Sequence, residues 1–106
     1  MERLKDLNKK ALPRRVVITG VGLVSPLGVG LEANWRSLLE GKNGIGLVTR
    51  FDASEYPSRI AGEVKDFDPL NFIDKKELRK MDRFIQYALA AAQLAADDAS
   101  IDLSLI

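Results

Sequence analysis

Five basic side chains fall within nine residues: Lys75, Lys76, Arg79, Lys80 and Arg83. At helical spacing, 76, 80 and 83 follow i, i+4, i+7, and 75, 79 and 83 form an adjacent row. They make a positive stripe over two turns, diluted by Asp74, Glu77 and Asp82. Such a stripe is either a solvated face tied up in i,i+4 ion pairs or a docking patch for an acidic partner. In the second case its charges speed encounter more than they tighten the complex.

The other candidate groups are weaker. Asp66 and Asp68 lie two apart in a loop-like stretch with no third metal ligand beside them, which suits solvated carboxylates. Asp97 and Asp98 read as surface charges near a helix end. Gly20-Val21-Gly22 begins like a dinucleotide fingerprint, but Ser25 stands where the third glycine belongs and Pro26 where the helix should start. Gly41-Lys42 fails as a phosphate loop, because Asn43 follows and Arg36 occupies the first glycine position.

Two absences exclude more chemistry than these motifs offer. With no Cys there is no disulfide, no thiolate nucleophile and no sulfur-ligated zinc. With no His there is no Ser-His-Asp or Cys-His arrangement and no imidazole metal site. No catalytic and no metal-binding residue is therefore assigned in this chain.

The elements that must position the stripe follow from the pattern of the 106 residues, which are 46% hydrophobic and 29% charged with a net charge of +1. That composition fits a folded domain of modest core and not a disordered chain. Residues 1–13 read as a flexible polar extension ending at Pro13. The first fifteen residues hold six basic and two acidic side chains and the remaining 91 hold ten and thirteen, so the basic balance sits in the lead-in. It therefore gives no reason to expect nucleic-acid binding. No apolar run approaches the ~20 residues needed to cross a bilayer, and the start lacks a secretory apolar stretch, which leaves the cytosol as the expected compartment.

Arg15 to Val24 is β-branched and continuously apolar at Val16-Val17-Ile18, the pattern of a strand covered on both faces of a parallel sheet. Gly20 and Gly22 inside it mark a bulge or a close backbone approach, and Ser25-Pro26-Leu27-Gly28 is a turn. Leu31, Trp35, Leu38 and Leu39 place an apolar face on a helix over 31–40 that stops at Gly41. Residues 43–48 and 59–64 suit short strands. Asp68-Pro69 opens a short helix to about Ile73. Asp74 then caps, in a box-like pattern with Glu77, a long helix over 76–99. Between Phe84 and Ala96 that helix is apolar almost all round, with only Gln86 and Gln93 strongly polar. Such a helix is a buried one. The remaining elements are too few to enclose it, and the apolar run from Ile101 to Ile106 adds no closing strand. The expectation is a helix wrapped by polypeptide outside this chain, from a longer protein, a partner or both.

RRVVITGVGLVSPLG (14–28), the following GLEANWRSLLEGKNGIGLVTRFDASEYPSRIAGEVKDFDP, and RKMDRFIQYALAAAQLAADDA (79–99) together resemble the β-ketoacyl-acyl carrier protein synthases of the thiolase-like superfamily. The last segment is similar to the type II elongation synthases of bacterial fatty acid synthesis. The resemblance runs from residue 14 to the end. It implies an α/β fold in which residues 14–106 are the start of the N-terminal half of a thiolase-like α-β-α-β-α sandwich, left incomplete in this chain. It also implies a homodimer. The implied reaction is condensation of an enzyme-bound acyl group with malonyl-carrier protein, using a cysteine and two histidines that this chain does not contain. The implied partner is acyl carrier protein, which brings the phosphopantetheine itself, so that no cofactor is expected on this chain. The residues matching the family's carrier-docking segment are Lys75, Lys76, Arg79 and Lys80, and the resemblance favours docking over a merely solvated face. A non-catalytic module that binds carrier protein or a synthase subunit is the alternative reading.

Overall fold

A computed structural model describes residues 13–105, so the extension expected over 1–13 lies, apart from Pro13, outside the described residues. Two antiparallel hairpins and three helices alternate along the chain, a partial α/β arrangement. Strands β1 (Val24–Ser25) and β2 (Gly28–Val29) pair with Val24 opposite Val29. Helix α1 (Leu31–Leu39) follows directly. Strands β3 (Ile45–Leu47) and β4 (Ile60–Gly62) pair with Gly46 opposite Ala61. A 3-10 turn (Pro69–Asn71) leads to α2 (Lys75–Leu78) and α3 (Arg83–Asp98), and a second 3-10 turn spans Leu103–Leu105. Among the described residues there is no parallel sheet and no layered sandwich.

Several expected elements form for the expected reasons. Asp68 caps the first 3-10 turn, its carboxylate accepting from the Leu70 amide at 3.0 Å, with Pro69 in the first helical position. Helix α1 ends at Gly41, whose φ of 68° is a left-handed conformation that glycine adopts without a β-carbon clash. The Pro26-Leu27 turn is closed by the Leu27 amide donating to Ser25 Oγ at 3.1 Å.

Two expectations are corrected. The strand expected over 15–24 pairs only at Val24–Ser25; residues 15–23 join no ladder, and Val16 and Ile18 are 92% and 87% exposed. A strand exists by the strand it pairs with, and no described strand pairs with this segment. The single helix expected over 76–99 is instead two helices. The chain leaves helical geometry after Leu78 and restarts at Asp82, whose extended backbone (φ −71°, ψ 162°) lets its carbonyl accept from the Ile85 and Gln86 amides. An aspartate just before an apolar run is a helix start in its own right.

The two glycines do serve a close approach. A β-carbon on Gly20 would lie 2.5 Å from the Ala95 carbonyl oxygen, and one on Gly22 would overlap the Ala91 carbonyl and the Ala95 amide. The segment 20–22 therefore lies directly on the alanine face of α3, and the Val21 amide donates to Asp98 Oδ2 at 2.9 Å. Asp98 is thus an anchor for backbone and not an idle surface charge.

Little apolar side chain is enclosed. Among the described residues the buried apolar ones are Ala53, Ile73, Ala90 and Ala96, and Phe84 on α3 is 70% exposed. The apolar stripe of α1 also faces out, while Asn34 and Ser37 are buried on its inner side.

Candidate functional site

The basic segment is short and displayed. Helix α2 has only four residues and none is buried. Asp74 caps it with its backbone: its carbonyl accepts from the Glu77 and Leu78 amides at 3.0 and 3.1 Å. No side-chain cap forms, so the box-like pattern of Asp74 and Glu77 is not realised. The chain then turns through 79–82, with the Lys80 amide on the Glu77 carbonyl and the Met81 amide on the Leu78 carbonyl.

This turn redistributes the expected stripe. Lys75, Lys76 and Arg79 border one open concavity. Lys75 and Arg79 also stand over a neighbouring hollow of about 430 Å³ lined by Asp68, Pro69, Leu70 and Leu78. Lys80 lies in the turn and Arg83 on the first residue of α3, so the helical rows linking 76 to 80 and 83 do not exist. Three of the four predicted docking residues are brought together, and Lys80 sits exposed beside them.

Among the described residues the interspersed acids form no ion pair of 4.0 Å or less with these cations. The ion pairs among the described residues are Arg36–Glu32, Lys42–Glu40 and Arg50–Glu63, and none involves Lys75, Lys76, Arg79 or Lys80. The i,i+4 pairs that would lace a solvated face are thus not formed among the described residues, although all four side chains are exposed. Instead a compact positive patch flanks an apolar hollow containing Leu70 and Leu78.

The other candidates are structural or inert. Asp66 is exposed with φ 56°, Asp68 is a cap, and Asp97 accepts from Gln93 Nε2 at 2.9 Å. No cluster of three or more Asp, Glu, His or Cys among the described residues could hold a metal ion. No helix among them is long and apolar enough to cross a membrane.

A polar centre escaped the sequence reading. Glu63 is buried just beyond β4 and accepts from the Thr49 hydroxyl at 2.9 Å and from the Thr49 and Arg50 amides at 3.1 and 3.3 Å. The Thr49 hydroxyl bond is the main cause holding its carboxyl below the usual value; burial opposes this, and the two amides and the Arg50 charge add to it. Arg50 continues outward, donating to the Tyr87 hydroxyl on α3 at 2.7 Å and to the Val64 carbonyl at 3.3 Å. The signal was present: strand alternation puts Ala61 and Glu63 on the same face, the inner one.

Comparison with known proteins gives this geometry its context. Residues 13–105 match the family model described as beta-ketoacyl synthase, N-terminal domain. The chain is 51% identical over 98 residues to 3-oxoacyl-[acyl-carrier-protein] synthase 2 of Synechocystis sp., covering 92% of this chain and 23% of that protein. It is 50% identical over 91 residues to the synthase of the same name from Coxiella burnetii, covering 86% of this chain and 22% of that protein. Among solved structures it is similar to the ishigamide ketosynthase/chain length factor, with a TM-score of 0.76, 42% identity, and coverage of 86% of this chain and 23% of that one. The chain thus spans less than a quarter of the length of these relatives.

Proposed function

The chain belongs to the beta-ketoacyl synthase family, and from that premise we propose that it supplies the carrier-protein docking segment of a 3-oxoacyl-[acyl-carrier-protein] synthase of fatty acid elongation. The observation that carries this reading is the cluster of Lys75, Lys76 and Arg79 around one concavity, free of ion pairs among the described residues, with Lys80 beside it. An acidic carrier protein fits such a patch. Long-range attraction would raise the encounter rate, and the apolar hollow beside the patch would take up a side chain of the partner.

The bond-making steps of that reaction lie elsewhere. A thiolate attacks the carbonyl of an acyl-phosphopantetheine thioester and expels the carrier's thiolate. Loss of CO2 from malonyl-carrier protein leaves a carbanion, which attacks the enzyme-bound acyl carbonyl and expels the enzyme thiolate. The product is a 3-oxoacyl thioester on the carrier. A chain with no Cys and no His supplies neither the thiolate nor imidazole groups to assist decarboxylation. Its proposed share is to bring the carrier, and the phosphopantetheine it bears, to the enzyme. Homodimerisation and a cytoplasmic setting belong to the same proposal.

The test is charge reversal of Lys76, Arg79 and Lys80 to Glu in the full chain, with acyl carrier protein affinity measured across a salt series. The native chain should bind more weakly as salt rises. The triple variant should bind at least about tenfold more weakly and lose most of that salt dependence. Unchanged affinity and slope would refute docking at this segment.

A further inference from the structure

Gln86 is polar in a stretch of α3 that is otherwise nearly all apolar, yet it is 7% exposed. Its Nε2 donates to the Met81 carbonyl at 3.2 Å. That carbonyl belongs to the 79–82 turn, the exit from α2. The next residue, Tyr87, grips the entrance. Its ring meets Phe67 edge-on at a centroid distance of 5.0 Å, and Phe67 stacks on Phe72 at 6.0 Å. Phe72 leads through buried Ile73 and Asp74 into α2. The Tyr87 ring is itself fixed, because its hydroxyl accepts from Arg50, which also binds the Val64 carbonyl and lies 4.0 Å from Glu63.

Helix α2 has no grip of its own. It is four residues long, with no buried side chain and no side-chain cap, and a helix this short does not persist unaided. Its position is set from outside, by two adjacent residues on the second turn of α3. We infer that Gln86 and Tyr87 are positioning residues for the Lys75–Lys80 segment, holding the cations in the arrangement that an acidic carrier protein meets. The inference rests on the docking reading above and goes beyond it by naming residues outside the basic segment. The attraction between charges falls off with their separation, so a shifted α2 weakens docking although every charge is retained.

The test uses the full 106-residue chain. Gln86→Met keeps side-chain length and removes the donor; Tyr87→Phe keeps the ring and removes the acceptor for Arg50. Two quantities are measured: affinity for acyl carrier protein at low salt, and amide hydrogen exchange at Leu78, Lys80 and Met81 against Ala90 to Ala96. Gln86→Met should weaken binding about threefold to tenfold and speed exchange at 78–81 while leaving 90–96 unchanged. Tyr87→Phe should do the same to a smaller degree. Native exchange at 78–81 in both variants would overturn the inference. So would faster exchange at 90–96 in step with 78–81, which would make both residues props of α3 alone. Failure of the docking reading looks different: Lys76→Glu/Arg79→Glu would then leave binding intact, while the exchange results still decide what sets α2.

Discussion

Where residues 20–22 cross α3 the contact is one of shape; where the β1–β2 hairpin meets α1 it is one of polar bonds. At the first, Gly20 and Gly22 lie against Ala91, Ala95 and Ala99 with no room for a β-carbon. At the second, Asn34 Nδ2 donates to the Gly28 and Gly30 carbonyls at 2.9 and 2.7 Å, and Ser37 Oγ to the Leu27 carbonyl at 2.8 Å. Ser25 Oγ also bonds Asn34 Oδ1, so the Asn34 amide is used at both ends. Both contacts turn large apolar side chains away: Val16, Val17 and Ile18 beside the first, Leu31, Trp35, Leu38 and Leu39 on the far side of the second. Local geometry is therefore specified here by small residues and directed hydrogen bonds, while hydrophobic burial, the main driving force of folding, is left largely unexpressed. We propose that these apolar faces are covered in a complete synthase by polypeptide outside these residues.

The strongest way to break the comparison is to fill the space that the first contact requires. Gly22→Val would drive a branched side chain into the backbone of α3, and no rotamer relieves an overlap that begins at the β-carbon. The expected cost is about 3 kcal/mol or more, read as separation of 20–22 from α3: rapid exchange of the Val21 amide, which Asp98 otherwise protects. A well-protected Val21 amide in that variant would mean that shape does not govern this contact. Asn34→Ala attacks the second contact. It removes the side-chain donor from the Gly28 carbonyl and one of two donors from the Gly30 carbonyl, which keeps the residue-34 amide, for an expected cost of about 1–3 kcal/mol in urea unfolding. Ser37→Ala removes one bond from the same corner and should cost less.

The same contrast explains what could be read in advance. The glycines announced a bulge or a close approach, a signal that comes from side-chain size, a property of each residue by itself. Gly41, Asp68 and Pro69 were legible because caps and stops act within a few residues. The Val16–Ile18 segment was not, since its apolar run specifies a buried strand but cannot supply the neighbour that makes it one. The break at 79–82 was missed because helix propensity runs unbroken from Lys76, and a competing start at Asp82 won. At the candidate site Lys75 and Arg79 keep their i,i+4 spacing, since Arg79 closes α2 in helical geometry, whereas the row from Lys76 through Lys80 to Arg83 is broken by the turn at 79–82. Gln86 was noticed as an exception in an apolar stretch, without the carbonyl that gives it a purpose.

Glu63 sharpens the polar side of the comparison, because its bonds respond to pH. Its folded carboxyl is held below the ordinary value of 4.5, chiefly by the Thr49 hydroxyl. A carboxylate with a depressed folded pKa binds protons less readily folded than unfolded. Its contribution is therefore fully present above about 4.5 and is lost as pH falls through the folded value. Glu63→Gln should flatten the stability profile below pH 4.5 and leave the segment 20–22 unaffected, since Glu63 bonds, among the described residues, only Thr49 and Arg50. An acid-sensitive profile that persists unchanged in the variant would move the origin of that sensitivity elsewhere.

The smallest expected effect is the most diagnostic for the exposed faces. Trp35 is 61% exposed in the middle of the α1 stripe, pointing away from the bonds made by Asn34 and Ser37. If nothing covers it, Trp35→Lys should change stability by no more than about 0.5 kcal/mol. Self-association of the chain, measured by sedimentation, should fall, because a contiguous apolar patch is lost. The native tryptophan should also emit as a solvent-exposed indole. A loss of several kcal/mol, or emission of a buried indole, would instead mean that this face is already covered in solution. The two contacts would then no longer be alike in turning their apolar side chains outward: α1 would be held by hydrophobic burial on one side and by hydrogen bonds on the other, and only the glycine crossing, with its Val21–Asp98 bond, would remain without burial of large side chains.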